Sequence, residues 1–130
     1  MIQVYFLGFI LLSNITFAGD NLAKVDFSRL LKNPQMYDGK IVEITGFANI
    51  EFEGNALYLD QKSQNEATYE KGLWLEISKT SFEQKKYNGS KILIRGTFKL
   101  SNKGHMNLWK GAIEQVTKLV IVKKQLKKEK

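Results

Sequence analysis

Apolar and polar residues alternate along several short runs of this chain, and two of those runs are near copies of each other. Tyr37-Asp38-Gly39 leads through Val42 and Ile44 to Gly46; fifty positions later Tyr87-Asn88-Gly89 leads through Ile92 and Ile94 to Gly96. A period of two predicts half-buried strands, and the tripeptide ahead of each run has the composition of a tight turn. In both copies a glycine falls on the buried parity, which marks a bulge or a sharp coil. Strands bent this strongly in so short a chain predict a small sheet curling into a barrel.

The first strand is expected over Lys40 to Ile50, with Val42, Ile44, Ala48 and Ile50 on one face around Gly46. Glu53-Gly54-Asn55 reads as a hairpin turn into a second strand, Ala56 to Leu59. Asp60 to Lys71 is polar and aperiodic, which predicts an exposed loop. A third strand, Leu73 to Ile77, directs Leu73, Leu75 and Ile77 one way and Trp74 and Glu76 the other. Ser78 to Lys86 has the polarity and length of a short helix resting on Phe82. In the fourth strand, Lys91 to Leu100, the residues Ile92, Ile94, Phe98 and Leu100 point inward, while Lys91, Arg95 and Lys99 line the opposite face. The last strand runs from about Met106 to Val122, with a change of phase expected near Gly111. Ahead of them all, Asp26 can cap a helix bearing Phe27, Leu30 and Leu31, which ends at Asn33-Pro34 before one more turn through Met36 and Tyr37.

Five strands, a helix between the third and fourth, and long, coiled first and last strands describe an all-β OB-fold: a five-stranded Greek-key barrel with short helices, one of them N-terminal. The competing architecture, an SH3-like small barrel, usually lacks the connecting helix. On the OB reading the echo is a pseudo-symmetry of strands one and four and not a repeat array.

The first eighteen residues carry no charge, and Val4 to Leu12 is almost wholly apolar. With the small residues of Thr16-Phe17-Ala18 behind it, this stretch reads as a signal peptide cleaved between Ala18 and Gly19, with an uncleaved anchor as the alternative. A single OB-fold-like domain is then expected over residues 19–122. The chain has no cysteine, so it has neither a disulfide framework nor a lipid-modified cysteine, and bacterial export to the periplasm or medium fits best. Of the formal charge of +7, residues 123–130 hold five lysines against one glutamate, which leaves +3 for the rest. This basic tail is most simply a solvated end; contact with anionic lipid would be weak without an apolar companion. Nucleic acid is not expected as a partner of an exported chain whose body is only mildly basic.

In an OB-fold the loop between strands one and two and the loop between strands four and five flank the usual ligand face. The first holds Glu51, Glu53 and Asn55, and the second holds His105, the sole histidine. His105 can tie the two loops together or contact a ligand. A metal would want three or four convergent ligands, and only His105, Glu51 and Glu53 suggest themselves, so neither metal nor cofactor is expected. No nucleophile elbow, phosphate loop or metalloprotease helix is present, which leaves no catalytic residue to name. Trp74, with Tyr58 beside it and Trp109 on either side of the sheet, can cover the barrel. Alternatively, with Lys91 and Arg95, these rings can offer a stacking surface for a single strand or a sugar.

The segments YDGKIVEITGF, EFEGNALYL, GLWLEI, YNGSKILIRGTF and GHMNLWKGAIEQVTKL resemble a family of small exported bacterial OB-fold-like proteins of unassigned function, over Phe27 to Leu119. The EFEGNALY hairpin and the GHM before the last strand are the most specific pieces. The resemblance implies the fold and export, and no substrate. The function expected is a non-enzymatic exported binding module for an envelope protein or small polymer. A structural or inhibitory interaction domain is the first alternative, and oligonucleotide or oligosaccharide binding the second.

Overall fold

The computed structural model of the protein describes residues 22–77 and 82–123, without the side chains of 82–84 and 123. The expected signal segment with its Ala18–Gly19 junction, the basic tail past Lys123 and the Phe82 side chain lie outside the described residues.

Among the described residues six strands pair into one sheet: β1 Leu22–Lys24, β2 Ile41–Asn49, β3 Ala56–Tyr58, β4 Gly72–Leu75, β5 Lys91–Lys99 and β6 Ala112–Lys123. Their order is β1-β2-β3-β4-β6-β5, and β5 pairs back onto β2, so the last five strands close an OB-fold-like barrel. Its one parallel seam joins β4 to β6, with Trp74 opposite Ala112 and Leu75 opposite Ile113. Strand β1 has no counterpart in the sequence reading. Its three residues are too few to show a period, and it pairs in parallel with Ile41, Val42 and Glu43, on the part of β2 that β3 does not reach.

Alternation along β2 and β5 places Val42, Ile44, Ala48, Ile92, Ile94 and Phe98 in the core with Leu57, Leu73, Leu75 and Ile113. Helix α1, Phe27–Lys32, adds Phe27 and Leu30; Asp26 caps it by accepting the Arg29 N–H at 3.3 Å. Leu30 is fully buried, and removing such a side chain from water contributes about 2 kcal/mol.

The echo is a local two-fold. Ile44 stands opposite Ile94 in the antiparallel β2–β5 ladder, Val42 opposite Gly96, and Gly46 opposite Ile92, so a half-turn about the central pair carries each unit onto the other. The turns obey the same operation. Gly39 donates to the Phe98 carbonyl and Gly89 to the Ala48 carbonyl, both at 2.8 Å, and both glycines need positive φ (82° and 78°). Gly46 and Gly96 are required for space. A Cβ on Gly46 would sit 2.7 Å from the Tyr58 carbonyl, and one on Gly96 would sit 2.6 Å from the Glu114 carbonyl.

Four expectations change. The irregularity in β6 is not at Gly111: Arg95 pairs with Lys118 and Thr97 with Glu114, so Gly96 faces a bulge of Gln115 to Thr117, with Gln115 at φ 50°. That bulge preserves parity, so Ile113, Leu119 and Ile121 all pack on the core. The helix before β5 is a 3-10 helix over Phe82–Tyr87, and the last strand begins at Ala112 and not near Met106, because residues 105–107 form a turn with positive φ at Met106 and Asn107. Asp60 to Lys71 is not an exposed loop. It folds as helix α2, Gln61–Glu66, and a 3-10 turn, Tyr69–Lys71. Asp60 caps α2 by accepting the Ser63 N–H at 2.7 Å, and hydrogen bonding from the Ser63 side chain and backbone holds its carboxyl below the ordinary range. The buried side of α2 is polar, which is why no apolar period announced it. Gln64 donates to the Ala48 carbonyl at 2.7 Å, and Ser63 is buried beside it.

Candidate functional site

Strands β2 and β5 each run on into a loop, and the two-fold that relates the strands makes these loops equivalent continuations. After β2, Ile50 donates to Asn88 Oδ1 at 2.9 Å, Gly54 donates to the Glu51 carbonyl at 3.0 Å, and Asn55 Oδ1 accepts the Glu51 N–H at 3.0 Å. This tight turn holds Glu53 at φ 55°. After β5, Leu100 donates to Asp38 Oδ1 at 2.9 Å, and Asn102 Oδ1 accepts the Gly104 N–H at 3.0 Å. The chain then passes through Met106 and Asn107, at φ 60° and 59°, and folds back so that Trp109 donates its backbone N–H to Lys103.

The loops meet where Glu53 Oε2 lies 3.3 Å from His105 Nε2, with the two side chains 50 % and 40 % exposed. Between them is a cleft of about 690 Å³. Five of the expected residues line it: Glu51, Glu53, Asn55, Trp74 and His105. Glu76, Asn102 and Phe52 line it too, though the sequence did not single them out. Glu76 was visible as the outward neighbour of Trp74, and Phe52 as a lone aromatic at a hairpin tip. Asn102 carried no signal.

On the cleft floor the Trp74 indole donates to Glu76 Oε1 at 2.8 Å, and Asn102 Nδ2 bridges Glu76 Oε1 (3.3 Å) and Glu114 Oε2 (2.8 Å). Trp109 packs on Trp74 with ring centroids 4.9 Å apart, and the Gly104 backbone presses on the same indole so closely that a Cβ there would be 2.6 Å from Cδ2.

Tyr58 and Trp109 do not belong to the ligand surface. Parity turns Tyr58 away from the barrel axis, but the β5–β6 loop lays Trp109 against it, and the two rings are left 1 % and 4 % exposed. Trp109 Nε1 donates to the Tyr58 hydroxyl at 3.2 Å, and Tyr69 meets Trp109 edge-on at 4.9 Å. Burial pushes the Tyr58 phenol above its ordinary pKa, partly offset by the Trp109 bond.

Lys91 and Arg95 are also elsewhere, on the outer wall of β2 and β5. Arg95 holds Glu43 Oε2 through Nη2 at 2.6 Å and Nε at 3.0 Å, and Lys91 Nζ lies 5.9 Å from the Phe47 ring centre. Glu43 is the direct cross-strand partner of Arg95, and that guanidinium holds its carboxyl below the ordinary range against the opposing effect of burial. The rings and cations expected to share one stacking surface are thus separated, with the rings packed together and the cations on another wall.

Glu53 and His105 could share an ion, but no group of three or more His, Asp or Glu suited to a metal occurs among the described residues. No family model matches the chain, and no curated protein matches it.

Proposed function

We propose that this protein is an exported, non-enzymatic binding module that holds a partner in the cleft between the β2–β3 and β5–β6 loops. The observation that carries the reading is the Glu53–His105 contact, which brings two loops fifty residues apart to opposite lips of one cleft. The uncharged first eighteen residues, with their apolar run from Val4 to Leu12, and the resemblance to exported OB-fold-like proteins support export. A protein partner is favoured over a small solute by Phe52 and Met106, which are 86 % and 76 % exposed on the two loops. Docking on an envelope protein, structural or inhibitory, uses the same lips and differs only in its consequence for that partner. Stacking of bases or sugars is disfavoured, since Trp74 is already packed by Trp109 and Gly104.

The test is retention of envelope components on immobilised mature protein, beginning at Gly19, beside its His105→Ala and Glu53→Ala variants. A half-exposed pair at this distance contributes less than about 1 kcal/mol, so both variants should melt nearly as the parent does. Retention of the natural partner should fall in both. Unchanged retention in both would remove the cleft from the reading. N-terminal sequencing of exported protein checks the other half: Gly19 is expected, whereas an intact Met1 in the membrane fraction means an anchor.

A further inference from the structure

We infer that the cleft accepts a short peptide segment presenting a lysine or arginine between apolar side chains; this rests on the binding-module reading above. The chain is basic overall, with a formal charge of +7, yet the cleft is lined by Glu51, Glu53 and Glu76 against His105 and Lys85. The local sign is therefore opposite to that of the chain as a whole. The three carboxylates are differently committed. Glu76 accepts from Trp74 and Asn102, and Glu53 faces His105 across the mouth. Glu51, whose backbone N–H is held by Asn55, has no hydrogen-bond or ion-pair partner for its carboxylate among the described residues. An ionised carboxylate only accepts, so the complementary group is a donor-bearing cation.

The rest of the lining selects what accompanies that cation. Ile50, Leu75 and Ile77 line the same cleft, and Phe52 stands almost wholly in water at its hairpin lip. A free metal ion or small amine would leave these surfaces wet, whereas apolar side chains flanking a lysine or arginine would cover them. About 690 Å³ lies within the range of roughly 300–1,000 Å³ that encloses a ligand of drug size, which a few peptide residues match. Phosphate-bearing polymers and acidic glycans would meet three carboxylates.

The decisive experiment titrates isotope-labelled mature protein with three capped hexapeptides of one apolar frame, Ala-Lys-Leu-Phe-Lys-Ala and its counterparts carrying glutamine or glutamate in place of both lysines. The lysine peptide should shift the Trp74 indole N–H and the backbone signals of Glu51 and Phe52. It should bind at least tenfold more tightly than the glutamine peptide at low salt, an advantage that salt erodes. Glu51→Gln should narrow that gap several-fold with the rest of the spectrum unchanged, and Glu76→Gln serves as an independent second variant. Equal binding by all three peptides, or preference for glutamate, overturns the ligand class. So does the absence of any shift at these residues while retention of an envelope partner still depends on Glu53 and His105, and in that case the binding-module reading stands. Peptide shifts confined to another face, together with cleft-independent retention, remove both.

Discussion

In the first repeated unit Asp38 accepts the Leu100 N–H, and in the second Asn88 accepts the Ile50 N–H, each at 2.9 Å. Each turn therefore fastens the far end of the other unit's strand. The agreement is confined to residues that set the backbone or pack on the core: Tyr37 and Tyr87, Gly39 and Gly89, Val42 and Ile92, Ile44 and Ile94, Gly46 and Gly96. Outward positions have diverged. Where the first unit has Glu43 and Thr45, the second has Leu93 and Arg95, so the two-fold axis that pairs Glu43 with Arg95 pairs Thr45 with Leu93. The loops that follow have diverged further. One is a tight turn leading straight into β3, and the other folds back to bury Trp109 and reach Glu53 through His105. Barrel closure thus constrains the inward half of each unit, and the cleft is built from what closure leaves unconstrained.

The strongest way to break this comparison is to fill the paired glycines. Gly46→Val and Gly96→Val should each lower unfolding free energy by about 3 kcal/mol, the upper end of overpacking costs, because at each site a backbone carbonyl oxygen stands in the way together with a packed core side chain, Leu57 or Ile113. Denaturant midpoints measure this, and an unshifted midpoint in either variant would end the equivalence of the two bends.

The loop that only the second unit has can be probed at Tyr58. Tyr58→Phe removes the acceptor of the Trp109 indole N–H and leaves a buried donor unpaired, at a cost of about 1–2 kcal/mol. A Tyr58→Phe protein as stable as its parent would mean that the loop is not held down by this bond.

Exchanging the turn residues sharpens the equivalence at smaller cost. Asp38→Ala and Asn88→Ala should each destabilise by about 1 kcal/mol, through one lost hydrogen bond. Asp38→Asn should be nearly neutral, since Asn88 already does the same work in the other unit. Hydrogen exchange at Leu100 and Ile50 reads each case separately: Asp38→Ala should speed exchange at Leu100 and leave Ile50 unchanged, and Asn88→Ala the reverse.

The smallest effect concerns the outward pair. The Arg95 guanidinium lowers the folded-state pKa of Glu43 below its unfolded value, so the stability this provides is complete above the ordinary carboxylate range. It is lost as pH falls through the lowered, folded value. Arg95→Gln should flatten that part of the acid unfolding profile, as measured by melting temperature against pH; an unaltered profile would show that the pair carries none of the acid sensitivity.

Much of the site was legible because turns and strand parity are written locally. Glu53-Gly54-Asn55 announces a hairpin, and the OB topology then places His105 across from it. Exposure was not legible. Parity correctly turns Tyr58 and Trp74 outward, but whether outward means wet depends on the β5–β6 loop, which is remote from both in the chain. Helix α2 escaped for a related reason: its buried contact is Gln64 on the Ala48 carbonyl, and a polar residue satisfied by a distant backbone leaves no apolar period behind.

By itself, then, the sequence determined the barrel, since a period of two, two positive-φ turn glycines and two glycines on the inward parity are properties of contiguous residues that admit few closed sheets. Tertiary structure alone decided the character of the cleft. It buried Tyr58 and Trp109, sent Arg95 to Glu43, and brought Glu76 and Asn102 into the cleft that Glu53 and His105 flank. The physical reason is range. Backbone geometry is dictated by neighbours in the chain, whereas desolvation and charge depend on which distant side chains arrive at the same place.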